Sequence, residues 1–360
     1  MTIYLVLALV IILPSLLYKP VQARSMVDRN YFGKRSRLET VHIFICFCFM
    51  MYLMAFRGDM STDFRSYQYI WLDVQNLNSI KDFFGYNTVE LGYVILNKIV
   101  LLFSDNFYIL LFVCSLIILI PIISFTRYSP CAWLTLFLYI TFGTYYQSFN
   151  IMRQMMAASI MLIGFKHIYS GNLKKTVFYS IVAALFHGSV LLYIPCYFMF
   201  RANTRKMKWW QMILLYGFLS VFILSFYTFY IVYFKHEAGF QITELKAYAI
   251  KNIANSIIIF ILCALLHILE RNRIPDDERV FENITLVGLI LWIIFLFLST
   301  RLSYMMRLAG YFSPFMMLLI PYYLSKMELK GNRVIVTGLI VIFGIYSLMN
   351  GYGSTEWIGR

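Results

Sequence analysis

The chain has 360 residues, of which 61% are hydrophobic and 13% charged, against roughly 45–50% and about 25% in an ordinary soluble domain. That balance excludes a soluble globular protein, and the 19% aromatic content excludes a disordered one. The 31 Lys and Arg outnumber the 17 Asp and Glu, yet most of the excess lies in short loops between apolar runs, where topology accounts for it without a nucleic-acid partner.

In chain order, the first seventeen residues are apolar and lack a basic leader, and Lys19 opens a strongly basic stretch after them. They read as a first spanning helix that is retained, although Val21-Gln22-Ala23 imitates a cleavage site. Apolar runs of about 17 to 25 residues mark further crossings. The loops at 19–40, 126–130, 166–175, 201–208, 270–279 and 325–333 hold 20 of the 31 Lys and Arg and are placed in the cytoplasm.

Two stretches break the alternation. Residues 91–103 are apolar but interrupted by Asn97 and Lys98, too short to cross and read as a re-entrant helix. Between Lys175 and Arg201 only about 25 residues separate two cytoplasmic loops. Two short helices over 176–200, turning near His187-Gly188-Ser189, resolve this, since broken helices are tolerated where they line a cavity. The whole is an all-α polytopic membrane protein of about twelve spans, a single integral domain over 1–360 with outer-face loops at 57–90 and 235–252. The six Cys sit singly, and no Walker, serine-hydrolase, zinc-protease or Cys/His metal spacing is present.

Ionisable groups at membrane depth are costly and mark function, and they gather at the outer boundary. Arg57, Asp59, Asp63, Tyr67 and Glu90 form the first group. Asp59 and Asp63 share a face if the segment is helical, which suits proton transfer beside an Arg that binds diphosphate; an Arg57–Asp59 ion pair closing a helix end fits the same spacing. Asn150, Arg153 and Gln154 stand where one apolar run stops and another starts, a helix N-terminus suited to phosphate or to a snorkelling Arg. His187 at the hairpin tip suits a general base or an interhelical hydrogen bond. Arg301, Tyr304, Arg307 and Tyr311 are spaced to share one helix face, so that two guanidinium groups meet one anion. The four outer-face arginines, Arg57, Arg153, Arg301 and Arg307, suit a diphosphate or pair with Asp59, Asp63 and Glu90.

Taken together, Arg57-Gly-Asp59 with Asp63 and Tyr67, Asn150-x-x-Arg153-Gln154-x-x-Ala157, Phe186-His187-Gly188-Ser189 leading to Pro195, and Arg301 to Tyr311 resemble the EpsG and Wzy-type family of bacterial polysaccharide polymerases. The resemblance implies a GT-C-like enzyme of the bacterial inner membrane, its active site facing the periplasm or cell exterior. Such an enzyme joins undecaprenyl-diphosphate-linked repeat units into O-antigen, capsule or exopolysaccharide by a metal-independent, cofactor-free inverting transfer. A chain-length regulator is a further partner of such enzymes to be looked for, beside the lipid bilayer itself. On these residues, Arg153, Arg301 and Arg307 would hold the leaving diphosphate. His187 is the first choice of base and Asp63 the second, oriented by Asp59 and Arg57, while Tyr67 would stack on sugar. A lipid-linked oligosaccharide flippase and a membrane O-acyltransferase are the rival readings; the first lacks internal repeats, and the second would need acyl chemistry on the basic, inner side.

Overall fold

A computed structural model of the chain describes residues 2–18, 35–59, 61, 63–202, 247–299 and 305–349. Every regular element among them is helical. We number the α-helices α1 (Thr2–Ile12), α2 (Arg37–Ala55), α3 (Phe64–Gln75), α4 (Ile80–Gly85), α5 (Leu91–Leu101), α6 (Phe107–Phe125), α7 (Ala132–Thr141), α8 (Thr144–Asn150), α9 (Met152–Tyr169), α10 (Leu173–Ala184) and α11 (Tyr193–Arg201). After an interval come α12 (Ala247–Glu270), α13 (Arg279–Leu298), α14 (Met305–Gly310), α15 (Ser313–Lys326) and α16 (Lys330–Ser347).

Among the described residues, five stretches are long and apolar enough to cross a bilayer: Arg37–Ala55, Phe107–Tyr128, Ile253–Arg273, Asp276–Leu298 and Met305–Lys326. At 1.5 Å per residue, the 19 residues of α2 extend about 28 Å, close to the hydrocarbon thickness of about 30 Å. Helix starts are locally encoded: Ser36 accepts from Glu39 N at 3.1 Å, Asn106 from Tyr108 N at 2.9 Å, and Asn172 from Lys175 N at 3.0 Å, each satisfying an orphan donor.

α2 packs on α6, α6 on α9 and α9 on α10, while α13 packs on α14 and α15. The Met305–Lys326 stretch is the most enclosed of the five, 94% of its apolar span being buried inside the protein. Phe165 of α9 joins α6 to α13 and α15, meeting Phe125 edge-on at a centroid distance of 5.3 Å, Phe281 at 6.3 Å and Phe315 at 6.1 Å.

Both irregular stretches are short helices. α5 has only 11 residues. The 176–200 region splits into α10, a 3-10 turn at Gly188–Leu192, and α11. These two helices pack together, and Arg201 at the end of α11 donates to Tyr169 O at 3.0 Å, just before α10 begins. The chain therefore enters and returns on one side. With 12 residues, α10 rises about 18 Å, too little for a crossing. Gly171, at φ +75°, makes the α9–α10 turn directly beneath that Arg201 guanidinium.

The 57–90 segment is no open loop. It holds α3, which packs on α5, and α4, fixed by a capping box in which Ser79 and Asp82 bond each other's backbone N–H. Of the 235–252 segment, residues 235–246 lie outside the described residues, and α12 begins at Ala247.

Candidate functional site

Three breaks in the helical framework meet at one point. α8 ends at Asn150; Ile151, at φ −90° and ψ 50°, interrupts the helix, and α9 restarts at Met152. Arg153 thus stands in the first turn of α9, at the positive end of a helix dipole. His187 adopts an extended φ −161° and ψ 114° at the tip between α10 and its 3-10 turn. Glu90 occupies the N-cap of α5 but does not cap its own helix, which frees its carboxylate for the other two.

That carboxylate bridges them. Arg153 Nη1 donates to Glu90 Oε2. His187 Nδ1 lies 3.1 Å from Glu90 Oε1, close to it but short of the alignment of a full hydrogen bond. Gly188 N points to the same Oε1 at 3.4 Å. All three side chains are mostly buried. Burial works to raise the Glu90 pKa, but the His187 contact and the Arg153 charge outweigh it and lower it to about 2. Glu90 is accordingly a fixed anion at any physiological pH.

A second ring of contacts holds this triad. Gly92 N donates to Leu185 O at 2.8 Å, pinning α5 to the hairpin tip. The Arg153 backbone N donates to Tyr67 Oη at 3.4 Å, so α3 also reaches the start of α9. Ser189 Oγ shares a 2.8 Å hydrogen bond with Tyr311 Oη, and Tyr193 Oη donates to Tyr311 O at 2.7 Å. Gln154 Nε2 donates to Arg307 O. Arg153 Nε and Gln154 Oε1 are buried without a hydrogen-bond partner. Such groups are costly unless something else satisfies them, and an anion and a hydroxyl donor respectively would do so.

The expected residues distribute unevenly. Glu90, Arg153, Gln154, His187 and Tyr67 converge. Asn150 is buried at the break just before α9. Arg57 lies inside, 2% exposed. Its Nη1 donates to Met54 O at 3.0 Å, its Nη2 to Met152 Sδ at 3.6 Å, and its guanidinium sits over the Phe149 ring at 5.3 Å. The Arg57–Asp59 pair therefore does not form. Asp59 instead pairs at 2.6 Å with Arg65 on the surface, because the buried guanidinium has an aromatic face and a carbonyl while Asp59 stays in water. Asp59 and Asp63 do not share a helical face either: α3 begins only at Phe64, with Asp63 at its N-cap. Asp63 is half-buried, and its charge is felt at the Tyr67 hydroxyl.

Arg307 is exposed and meets the site through its carbonyl. Arg301 and Tyr304 lie outside the described residues. Ser189 and Tyr193 are contributors that no motif assigned, although Ser189 stands inside a stretch that carried the family resemblance. Tyr311 does not share a helix face with Arg307, because α14 ends at Gly310, leaving Tyr311 buried and Arg307 exposed. No group of three His, Cys, Asp or Glu is placed to hold a metal ion among the described residues.

The match between sequence and family extends far past the site. A family model described as the EpsG family matches residues 40–358. No curated protein and no solved structure matches the chain.

Proposed function

Because the chain belongs to the EpsG family, the family of Wzy-type polysaccharide polymerases, we propose that it joins oligosaccharide repeat units carried on undecaprenyl diphosphate at the periplasmic face of the inner membrane. The observation that carries this reading is the convergence of Arg153, Glu90 and His187 at the tip of a hairpin that does not cross. In the proposed step the hydroxyl of the incoming unit attacks the anomeric carbon of the growing glycan. The bond from that carbon to the diphosphate oxygen breaks with inversion, and its electron pair leaves on the diphosphate. With His187 Nδ1 turned to Glu90, Nε2 is the nitrogen that takes the hydroxyl proton. Glu90 then stabilises the imidazolium that forms, in the manner of a carboxylate behind a catalytic His. Arg153, with the α9 N-terminus behind it, receives the departing charge, and Arg301, Arg307 and the buried Arg57 add to the positive field. Asp63 remains the second candidate base. About twelve crossings and a GT-C-like architecture complete the proposal.

Purified protein in nanodiscs, given its host's lipid-linked repeat unit without ATP, is expected to yield a ladder of added repeats on a gel. Arg153→Ala should lose both the ladder and donor retention, and His187→Ala the ladder alone. Movement of the lipid between leaflets with no ladder from a verified substrate would make the arginines part of a transport path and overturn the reading. In the same assay elongation should survive EDTA undiminished; loss restored by Mg²⁺ or Mn²⁺ would refute the metal-independent step.

A further inference from the structure

At the end of the molecule opposite the site, α2 and α6 border a groove of about 280 Å³. Its floor and walls are Ile43, Phe44, Phe47, Ile120 and Ile123, and its mouth carries Arg35 and Arg127. Phe44 and Ile120 are 63% and 51% exposed, so the groove opens sideways from the helix pair, the direction from which a bilayer approaches. Arg35 is held in place: its Nη2 donates to Thr126 Oγ1 at 2.9 Å, and the fully buried Thr126 hydroxyl donates in turn to Ile123 O at 2.6 Å. Arg35 stands just before α2 and Arg127 just after α6, so helices that cross a bilayer would set both at headgroup depth and the apolar walls at hydrocarbon depth.

We infer that this groove binds an anionic phospholipid of the leaflet at that end, its phosphate between Arg35 and Arg127 and the upper part of one acyl chain along Phe44, Phe47 and Ile120. Charge selects this occupant. Glu39 pairs with Arg35 at 3.9 Å, and the exposed Arg127 leaves the mouth with a net positive charge that one phosphate neutralises. The chain's own 19–34 segment is a poor occupant, because Lys19, Arg24, Arg29 and Lys34 against a single Asp28 would repel the same mouth. The groove falls just below the roughly 300–1,000 Å³ of drug-sized ligand sites, enough for a headgroup and part of one chain. A fixed lipid here would brace α2 against α6, whose other ends frame the start of α9.

The test is photo-crosslinking in nanodiscs with a diazirine-bearing phosphatidylglycerol and its phosphatidylcholine counterpart, read by peptide mapping. The full chain is expected to give phosphatidylglycerol adducts on residues 40–47 and 120–124, at least fivefold above phosphatidylcholine. Arg127→Gln, which alters an exposed side chain only, should cut that preference severalfold, and Arg127→Glu should abolish it. Equal labelling by both lipids would mean ordinary annular contact and overturn the inference. Phosphatidylglycerol adducts confined to other segments would also overturn it, as would a crosslink from a photoreactive residue at position 44 to the 19–34 segment.

Discussion

Glu90 holds Arg153 and His187 on one carboxylate, and its protonation sets what the site can do. Its pKa falls from an ordinary 4.5 to about 2, so the folded state binds this proton more weakly than the unfolded chain. The resulting stabilisation is fully present above about pH 4.5 and is lost as the pH falls through about 2. The difference in unfolding midpoint between the native chain and Glu90→Gln should therefore shrink as the pH falls from 4.5 to 2. A difference that stays constant down to pH 2 would refute the assignment. Elongation should fall by about 10²-fold in Glu90→Gln, since a neutral amide neither orients His187 nor stabilises its protonated form. Arg57 is a different kind of residue. Its guanidinium is buried over Phe149 without a carboxylate partner among the described residues, and it faces the start of α9 through Met152.

At the scale of elements, the site exists because three helix ends are pinned together, and Gly92 is the pin. A Cβ there would lie 2.6 Å from Leu185 O and 2.7 Å from Leu185 Cβ, and neither the backbone nor the first side-chain carbon can swing away. Gly92→Ala should therefore push α5 off the hairpin tip, costing about 1–3 kcal/mol and carrying Glu90, two residues earlier, away from His187. Gly331→Ala, with nothing within 4 Å of the added carbon, is the control and should leave both melting and elongation unchanged. Comparable elongation in the two variants would show that the α5–hairpin contact does not set the geometry. The short hairpin itself was legible in the sequence, because two basic loops too close together left no room for one crossing. So was the start of α9, because an apolar run halts at Asn150 and resumes beyond Ile151. That Glu90 pairs with an outer-face arginine was legible, but which arginine, and its meeting with the hairpin tip, were not: it meets Arg153 across 63 residues and the His187–Gly188 turn across 98, and no local spacing encodes such pairings. Asp59 misled for the opposite reason. Four-residue spacing to Asp63 imitates a helix face, but the helix starts after Asp63, and water rather than the site claims the earlier carboxylate.

Across the whole molecule, α15 is the member that connects the two ends. It follows Tyr311, whose hydroxyl meets the hairpin tip, and it terminates at Lys326, where a second buried polar network closes the opposite end. There Lys326 Nζ lies 2.6 Å from the fully buried Glu278 Oε2, Tyr322 Oη donates to that same oxygen at 2.9 Å, and Glu282 takes up His267 at 2.9 Å and Tyr323 at 3.0 Å. The network ties α12, α13 and α15 across three segments of sequence, and nothing in it faces Arg153 or His187. Its role is consequently one of holding the scaffold. Removing one partner of a buried pair leaves an uncompensated charge, at a cost of about 3–5 kcal/mol. Lys326→Met should approach the lower figure, about 3 kcal/mol, because Tyr322 still donates to Glu278. The measurement is the thermal midpoint in detergent beside elongation per folded molecule. A lowered midpoint with unchanged elongation and unchanged KM for the lipid-linked donor is the expected pair of results. Glu278→Gln combined with Lys326→Met should recover much of the midpoint, since no unpaired charge then remains. Loss of elongation at full stability would instead mean that α15 transmits the state of one end to the other, and that the two networks work as one.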